Sequence, residues 1–170
     1  LKSGEGERFL NVIKNEIIPF IEKTYPTNGH RGLVGHSLGG LFTANVLFHS
    51  PELFDHYGIN SPSFVDWNQN DILLAEKKFA STHKSLPVKV FLSYGQLEDE
   101  EGIQNMKNIE TLFKSHYPDM EIKLVLFDDE GHASVVPAMI SRSMRYLYER
   151  KFRNDDSSTE HSSNGPYPKK

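Results

Sequence analysis

The chain contains no cysteine. Disulfides and thiolate metal sites are therefore excluded, while periplasm and cytoplasm both remain open as its compartment. It has no apolar run approaching the ~20 residues of a membrane-spanning helix. It also has no Lys/Arg cluster interleaved with aromatics. With a net charge of −4, that argues against a nucleic-acid partner. No internal repeat is visible, and the sequence begins at Leu1 with no recognisable leader, so the expectation is a piece of a longer chain. Its 170 residues suffice for one sizeable core and one domain.

What is present is organised around Gly32 to Gly40, Gly-Leu-Val-Gly-His-Ser-Leu-Gly-Gly. Within it, Gly35-His36-Ser37-Leu38-Gly39 has the G-x-S-x-G form of a nucleophile elbow. The apolar pair Leu33-Val34, preceded by the turn residues Asn28-Gly29, reads as a buried strand over Gly32–His36. Leu38 to His49 reads as a helix that stops at Pro51. A strand reversing sharply into a helix holds a serine exposed and strained. Gly35 and Gly39 are the positions where a side chain is expected to collide. The Leu38 N–H, at the helix N-terminus, is placed to donate to a developing oxyanion.

Elsewhere, Phe9, Ile13, Ile17 and Phe20 or Ile21 recur at helical spacing, so Glu5 to Tyr25 reads as a helix kinked by Pro19. Further strands are expected at Tyr57–Ser61, Val88–Tyr94 and Ile122–Phe127. Further helices are expected at Asp71–Thr82, at Glu101–Tyr117 and from a Ser134 cap to about Phe152. Four strand–helix alternations imply an α/β fold with a mostly parallel sheet. The last residues, from Asn154, lack the apolar content to offset ordering entropy and read as a disordered tail. The division is thus a domain over 1–152 and a tail over 153–170.

A serine hydroxyl needs a base of near-neutral pKa, which favours histidine. Of eight histidines, His132 follows a strand in Asp-Asp-Glu-Gly-His, at the sheet edge where α/β sites assemble. His36 lies inside the elbow as its variable residue and is kept as a substrate-contacting candidate. His30, His49, His56, His83 and His116 read as solvated residues at helix ends and surface turns. A carboxylate must orient the imidazole, and the order Ser, acid, His places it after the third strand. Glu98 comes first there and is preferred; Asp99 is the alternative. Glu100 and Glu101 read as favourable charges at a helix N-terminus.

Gly-His-Ser-Leu-Gly-Gly-Leu-Phe, Ser-Pro-Glu-Leu-Phe-Asp, Ile-Asn-Ser-Pro-Ser, Ser-Tyr-Gly-Gln-Leu-Glu and Gly-His-Ala-Ser occur in this order. Together they resemble the esterase family of α/β-hydrolases, which includes enterobactin-type siderophore esterases, S-formylglutathione hydrolases, feruloyl and acetylxylan esterases and mycolyltransferases. The likeness runs over roughly residues 5 to 150 and is far more specific than the elbow alone. It implies the C-terminal portion of an α/β-hydrolase fold, with Ser37 as nucleophile, Glu98 as acid, His132 as base and Leu38 giving one oxyanion N–H. It also implies that Phe64 and Trp67 line an acyl or alcohol pocket; ordinary lid packing explains the same aromatics equally well. The family's first strands, and its loop with the second oxyanion donor, have no counterpart here.

The expectation is a serine carboxylic-ester hydrolase working through an acyl-enzyme on a small-molecule ester, without metal or organic cofactor. Siderophore lactones, sugar-linked esters and small thioesters all fit, and an alcohol could replace water as acceptor. The rival is a non-catalytic binding or assembly module that kept the fold. If the elbow strand has nothing on its far side, that open sheet edge is expected to pair two copies.

Overall fold

The computed structural model describes residues 5–63 and 69–149. Phe64, Trp67 and the expected tail fall outside them. The chain opens with helix α1 (Gly6–Val12), a π-helical stretch (Ile13–Ile17) and helix α2 (Ile18–Thr24). Pro19 was expected to kink one continuous helix. Proline has no N–H to offer the Asn15 carbonyl, and the ladder widens by one residue just before it, the Ile18 N–H reaching back to the Ile13 carbonyl.

Strand β1 (Gly32–His36) leads into α3 (Leu38–His49), then β2 (His56–Asn60), α4 (Gln69–Thr82), β3 (Lys89–Gly95), α5 (Glu100–His116), β4 (Glu121–Phe127) and α6 (Val136–Tyr148). The four strands form a parallel sheet in the order β1-β2-β3-β4. This is the α/β architecture the alternating pattern implied. Period-two alternation sends Tyr57, Ile59, Val90, Leu92 and Tyr94 into one core with Ala44, Leu47 and Phe48 of α3 and Met106, Ile109 and Phe113 of α5. Asn60, Phe91 and Ser93 face the other side: Ser143 of α6 bonds Asn60, and Phe91 packs on Tyr146.

Boundaries differ from the sequence reading by one or two residues at most ends. At the start of α6 the capping residue differs, for a local cause. Ser134 does not cap the helix; its hydroxyl turns back to accept from the Gly131 N–H at 3.0 Å, and the helix begins at Val136. Among the described residues β1 is paired on one side only, and all five of its residues are half-buried, whereas β2 and β3 are almost wholly buried. Exposed apolar side chains lie on the flanking helices: Ile17, Phe20 and Ile21 near α2, and Ile140, Met144 and Tyr148 as an i, i+4, i+8 stripe on α6.

Asn60 is fully buried, and both polar atoms of its side chain are bonded. Its Oδ1 accepts from Ser93 at 2.7 Å and Ser143 at 3.1 Å, and its Nδ2 donates to the Gly35 carbonyl at 3.2 Å. Removing that side chain orphans two buried hydroxyls and a carbonyl. Asn60→Ala should therefore lower unfolding free energy by about 2–4 kcal/mol in denaturant titration, with an unchanged m-value.

Candidate active site

Ser37 occupies the junction between β1 and α3 with φ 58° and ψ −121°. A non-glycine residue at positive φ persists only where its surroundings over-determine it. Here the Ser37 N–H donates to the Asn60 carbonyl at 3.1 Å, while its own carbonyl accepts from Leu41 at 3.0 Å and Ser63 at 3.2 Å. Crowding does the rest. A Cβ on Gly35 would overlap the Gly39 carbonyl. Gly39, expected to be equally confined, has open space around a Cβ. The confined position is the next one: a Cβ on Gly40 would stand 2.7 Å from the Asn60 carbonyl, because α3 runs close over the end of β2.

The loop after β3 brings in Glu98 and the loop after β4 brings in His132. The two loops are laced together: the Gln96 N–H donates to the Phe127 carbonyl at 2.9 Å and the Leu97 N–H to the Glu130 carbonyl at 3.0 Å. Gly95 permits this approach, since a Cβ there would overlap the Glu130 carbonyl. Glu98, with its side chain only 4% exposed, accepts from His132 Nδ1 through Oε2 at 2.6 Å. Its Oε1 accepts from the Ser61 hydroxyl at 2.6 Å and the Gly95 N–H at 2.7 Å. His132 Nε2 lies 3.0 Å from Ser37 Oγ. Serine, histidine and glutamate thus form one hydrogen-bonded chain. A proton can pass from Ser37 to His132 while Glu98 keeps the ring in the tautomer that receives it.

Asp99 is not part of this chain. Its carboxylate caps α5 by accepting from the Gly102 N–H at 2.6 Å, and it also accepts from the Tyr94 hydroxyl at 2.8 Å. Burial first, and this bond next, push the Tyr94 hydroxyl well above the usual tyrosine value. Leu38, the first residue of α3, has an N–H with no acceptor inside the helix, and its side chain is exposed.

His36 was kept as a substrate contact. The residue is half-buried and its ring donates from Nε2 to the His132 carbonyl at 2.8 Å, with the two rings 4.6 Å apart. His56, expected at a solvated turn, is the first residue of β2, and its Nδ1 is buried without a partner. Sequence reasoning missed Ser61, which holds the acid, and Ser63, whose hydroxyl lies 3.0 Å from Ser37 Oγ. Their signal was position, in a Ser-Pro-Ser turn at the C-terminal end of the strand beside β1. A groove of about 680 Å³ runs between α1 and α3, lined by Leu10, Leu41, Phe42 and Val46 and reaching Leu38. None of the three linked residues lines it. Among the described residues no group of three His, Cys, Asp or Glu side chains stands where it could hold a metal ion, and no helix is long and apolar enough to cross a membrane.

Burial, and secondly the nearby His132, hold His36 below the ordinary histidine value of 6.5. The unfolded chain therefore takes up the proton at higher pH than the folded one. The resulting contribution to stability is complete above about pH 6.5 and is lost as pH falls through the folded value. Denaturant titrations between about pH 5 and 7 should show stability rising with pH, and His36→Gln should flatten that slope. An unaltered slope would place the ring in solvent.

A family model described as "Putative esterase" matches residues 2–130. The chain is 33% identical over 150 residues to "Ferri-bacillibactin esterase BesA" of Bacillus subtilis, covering 84% of this chain and 52% of that protein. It is 36% identical over 174 residues to "Siderophore enterobactin esterase" of Emericella nidulans, covering 85% and 56%. The crystal structure of the BES protein from Bacillus cereus superimposes with a TM-score of 0.74 at 32% identity, over 85% of this chain and 56% of that one. The chain spans about half the length of the curated relatives it matches.

Proposed function

The chain belongs to the esterase family of α/β-hydrolases, and from that premise we propose that it carries the catalytic machinery of a serine carboxylic-ester hydrolase. The observation that carries this reading is the unbroken run from Ser37 Oγ through both His132 nitrogens to Glu98, with donors at 3.0 Å and 2.6 Å. His132 Nε2 takes the proton as Ser37 Oγ bonds to the ester carbonyl carbon. The alcohol then leaves with that proton. Water repeats the sequence on the acyl-enzyme, with the same histidine as base. The Leu38 N–H is the donor placed for the oxyanion. A degenerate binding module would give no reason to bury a glutamate under three donors and link it through a histidine to a half-buried serine.

The substrate we infer is a siderophore ester, because the two relatives named above are siderophore esterases.

Hydrolysis of a siderophore lactone and of a simple aryl ester, followed by chromatography and absorbance, tests both parts. Ser37→Ala should lower turnover of both by several powers of ten without loss of fold, since the glycines and Asn60 set the elbow. Near-normal turnover by this variant would sink the mechanism. Turnover of the aryl ester alone would sink the substrate assignment. Glu98→Gln, which removes the acceptor that fixes the His132 tautomer, should lower kcat by up to about four powers of ten. Asp99→Asn should be mild, because asparagine also caps helices. The reverse ranking would move the acid to Asp99.

A second reading concerns association. The unpaired edge of β1 and the apolar stripes beside it favour pairing with a second copy. Sedimentation velocity should show the weight-average coefficient rising with concentration. One monomeric species at every concentration would contradict it.

A further inference from the structure

The resting hydrogen-bond pattern leaves one proton to assign, and its assignment gives Ser63 a role. Glu98 Oε2 can only accept from His132, so Nδ1 carries the ring hydrogen and Nε2 presents a lone pair. Ser37 must then donate its single hydroxyl hydrogen to Nε2. The remaining contact, Ser37 Oγ to Ser63 Oγ at 3.0 Å, has only the hydrogen of Ser63 to use. Ser63 therefore donates to the nucleophilic oxygen itself. Its backbone N–H, on the Ser37 carbonyl at 3.2 Å, holds the hydroxyl over that atom.

We propose that Ser63 is a further catalytic residue, whose hydroxyl stabilises negative charge on Ser37 Oγ during both halves of the ester reaction. This rests on the esterase reading above. In acylation the Ser37 O–H bond breaks and its proton goes to His132 Nε2, while Oγ bonds to the carbonyl carbon and the carbonyl electron pair moves to its oxygen. Negative charge on Oγ is greatest early in that step. In deacylation water gives a proton to His132 Nε2 as its oxygen bonds to the acyl carbon; the carbon–Oγ bond then breaks, its electron pair goes to Oγ, and His132 Nε2 delivers that proton to it. Charge on Oγ builds again before the proton arrives. Ser63 keeps its own proton throughout and acts as a fixed dipole aimed at the atom whose charge changes. The donor is in place before reaction, so no reorganisation is needed at the barrier. Sited on the Ser-Pro-Ser turn, it contacts Ser37 from the β2 side while His132 contacts it from the β4 side.

The test compares Ser63→Ala, Ser63→Thr and the unaltered chain on an aryl ester, with the rate of labelling of Ser37 by an aryl phosphonate as a second readout. Ser63→Ala should lose about 10- to 100-fold in kcat, the range for one hydrogen bond to a charged oxygen, with KM little changed. Its phosphonylation rate should fall in proportion. Ser63→Thr, which keeps the hydroxyl, should recover most of both. Equal losses in the Ala and Thr variants, or a loss confined to KM, would overturn the proposal by making the role one of packing. If the unaltered chain takes no phosphonate at Ser37, the esterase reading falls and this proposal with it. If Ser37 is labelled and Ser63→Ala reacts at the unaltered rate, this proposal alone falls.

Discussion

The contact between Glu98 and the His132 imidazole decides what every other group in the site can be. A nearly buried carboxylate that accepts from Nδ1, from Ser61 and from the Gly95 N–H leaves the ring one tautomer. That tautomer turns Ser37 into a donor and Ser63 into the donor behind it. Burial matters here because a carboxylate withdrawn from water holds its orientation only when its oxygens are satisfied. If Ser61 or the Gly95 turn were lost, the carboxylate would be under-satisfied and the ring free to rotate.

The sheet supplies the geometry. Four parallel strands deliver the ends of β1, β2, β3 and β4 to one edge. Each end contributes in turn: Ser37, the Ser61–Ser63 turn, Glu98 and His132. Asn60 joins these layers. Its side chain ties Gly35 on β1 to Ser93 on β3 and Ser143 on α6, while its carbonyl holds the Ser37 N–H. The positive φ of Ser37 is thus fixed by the neighbouring strand and by the helix that follows. His36 extends the support to the base loop, through its bond to the His132 carbonyl.

Local signals carried much of this into the sequence. The limits of β1 and α3 follow from an apolar pair, closely spaced glycines and Pro51, and they match residue for residue. Chain order put Glu98 before Asp99; in the structure Glu98 bonds His132 while Asp99 caps α5. Contacts between elements were not legible. Ser63 and Ser37 are 26 residues apart, and Ser61 and Glu98 are 37 apart. Serines in a turn carry no mark of which distant oxygen they meet. The exchange of Gly39 for Gly40 as the crowded position has the same origin, since it depends on where the Asn60 carbonyl lies. At Ser134, an ordinary capping residue was drawn into a tighter local turn with Gly131.

Under the proposed mechanism, Ser37 Oγ is an activated nucleophile in this chain. Incubation with an organophosphonate, followed by intact mass and peptide mapping, tests it without assuming a substrate. One adduct per chain, mapped to Ser37 and absent from Ser37→Ala, is the predicted result. A folded chain that takes up no adduct, or takes one at another residue, would contradict it.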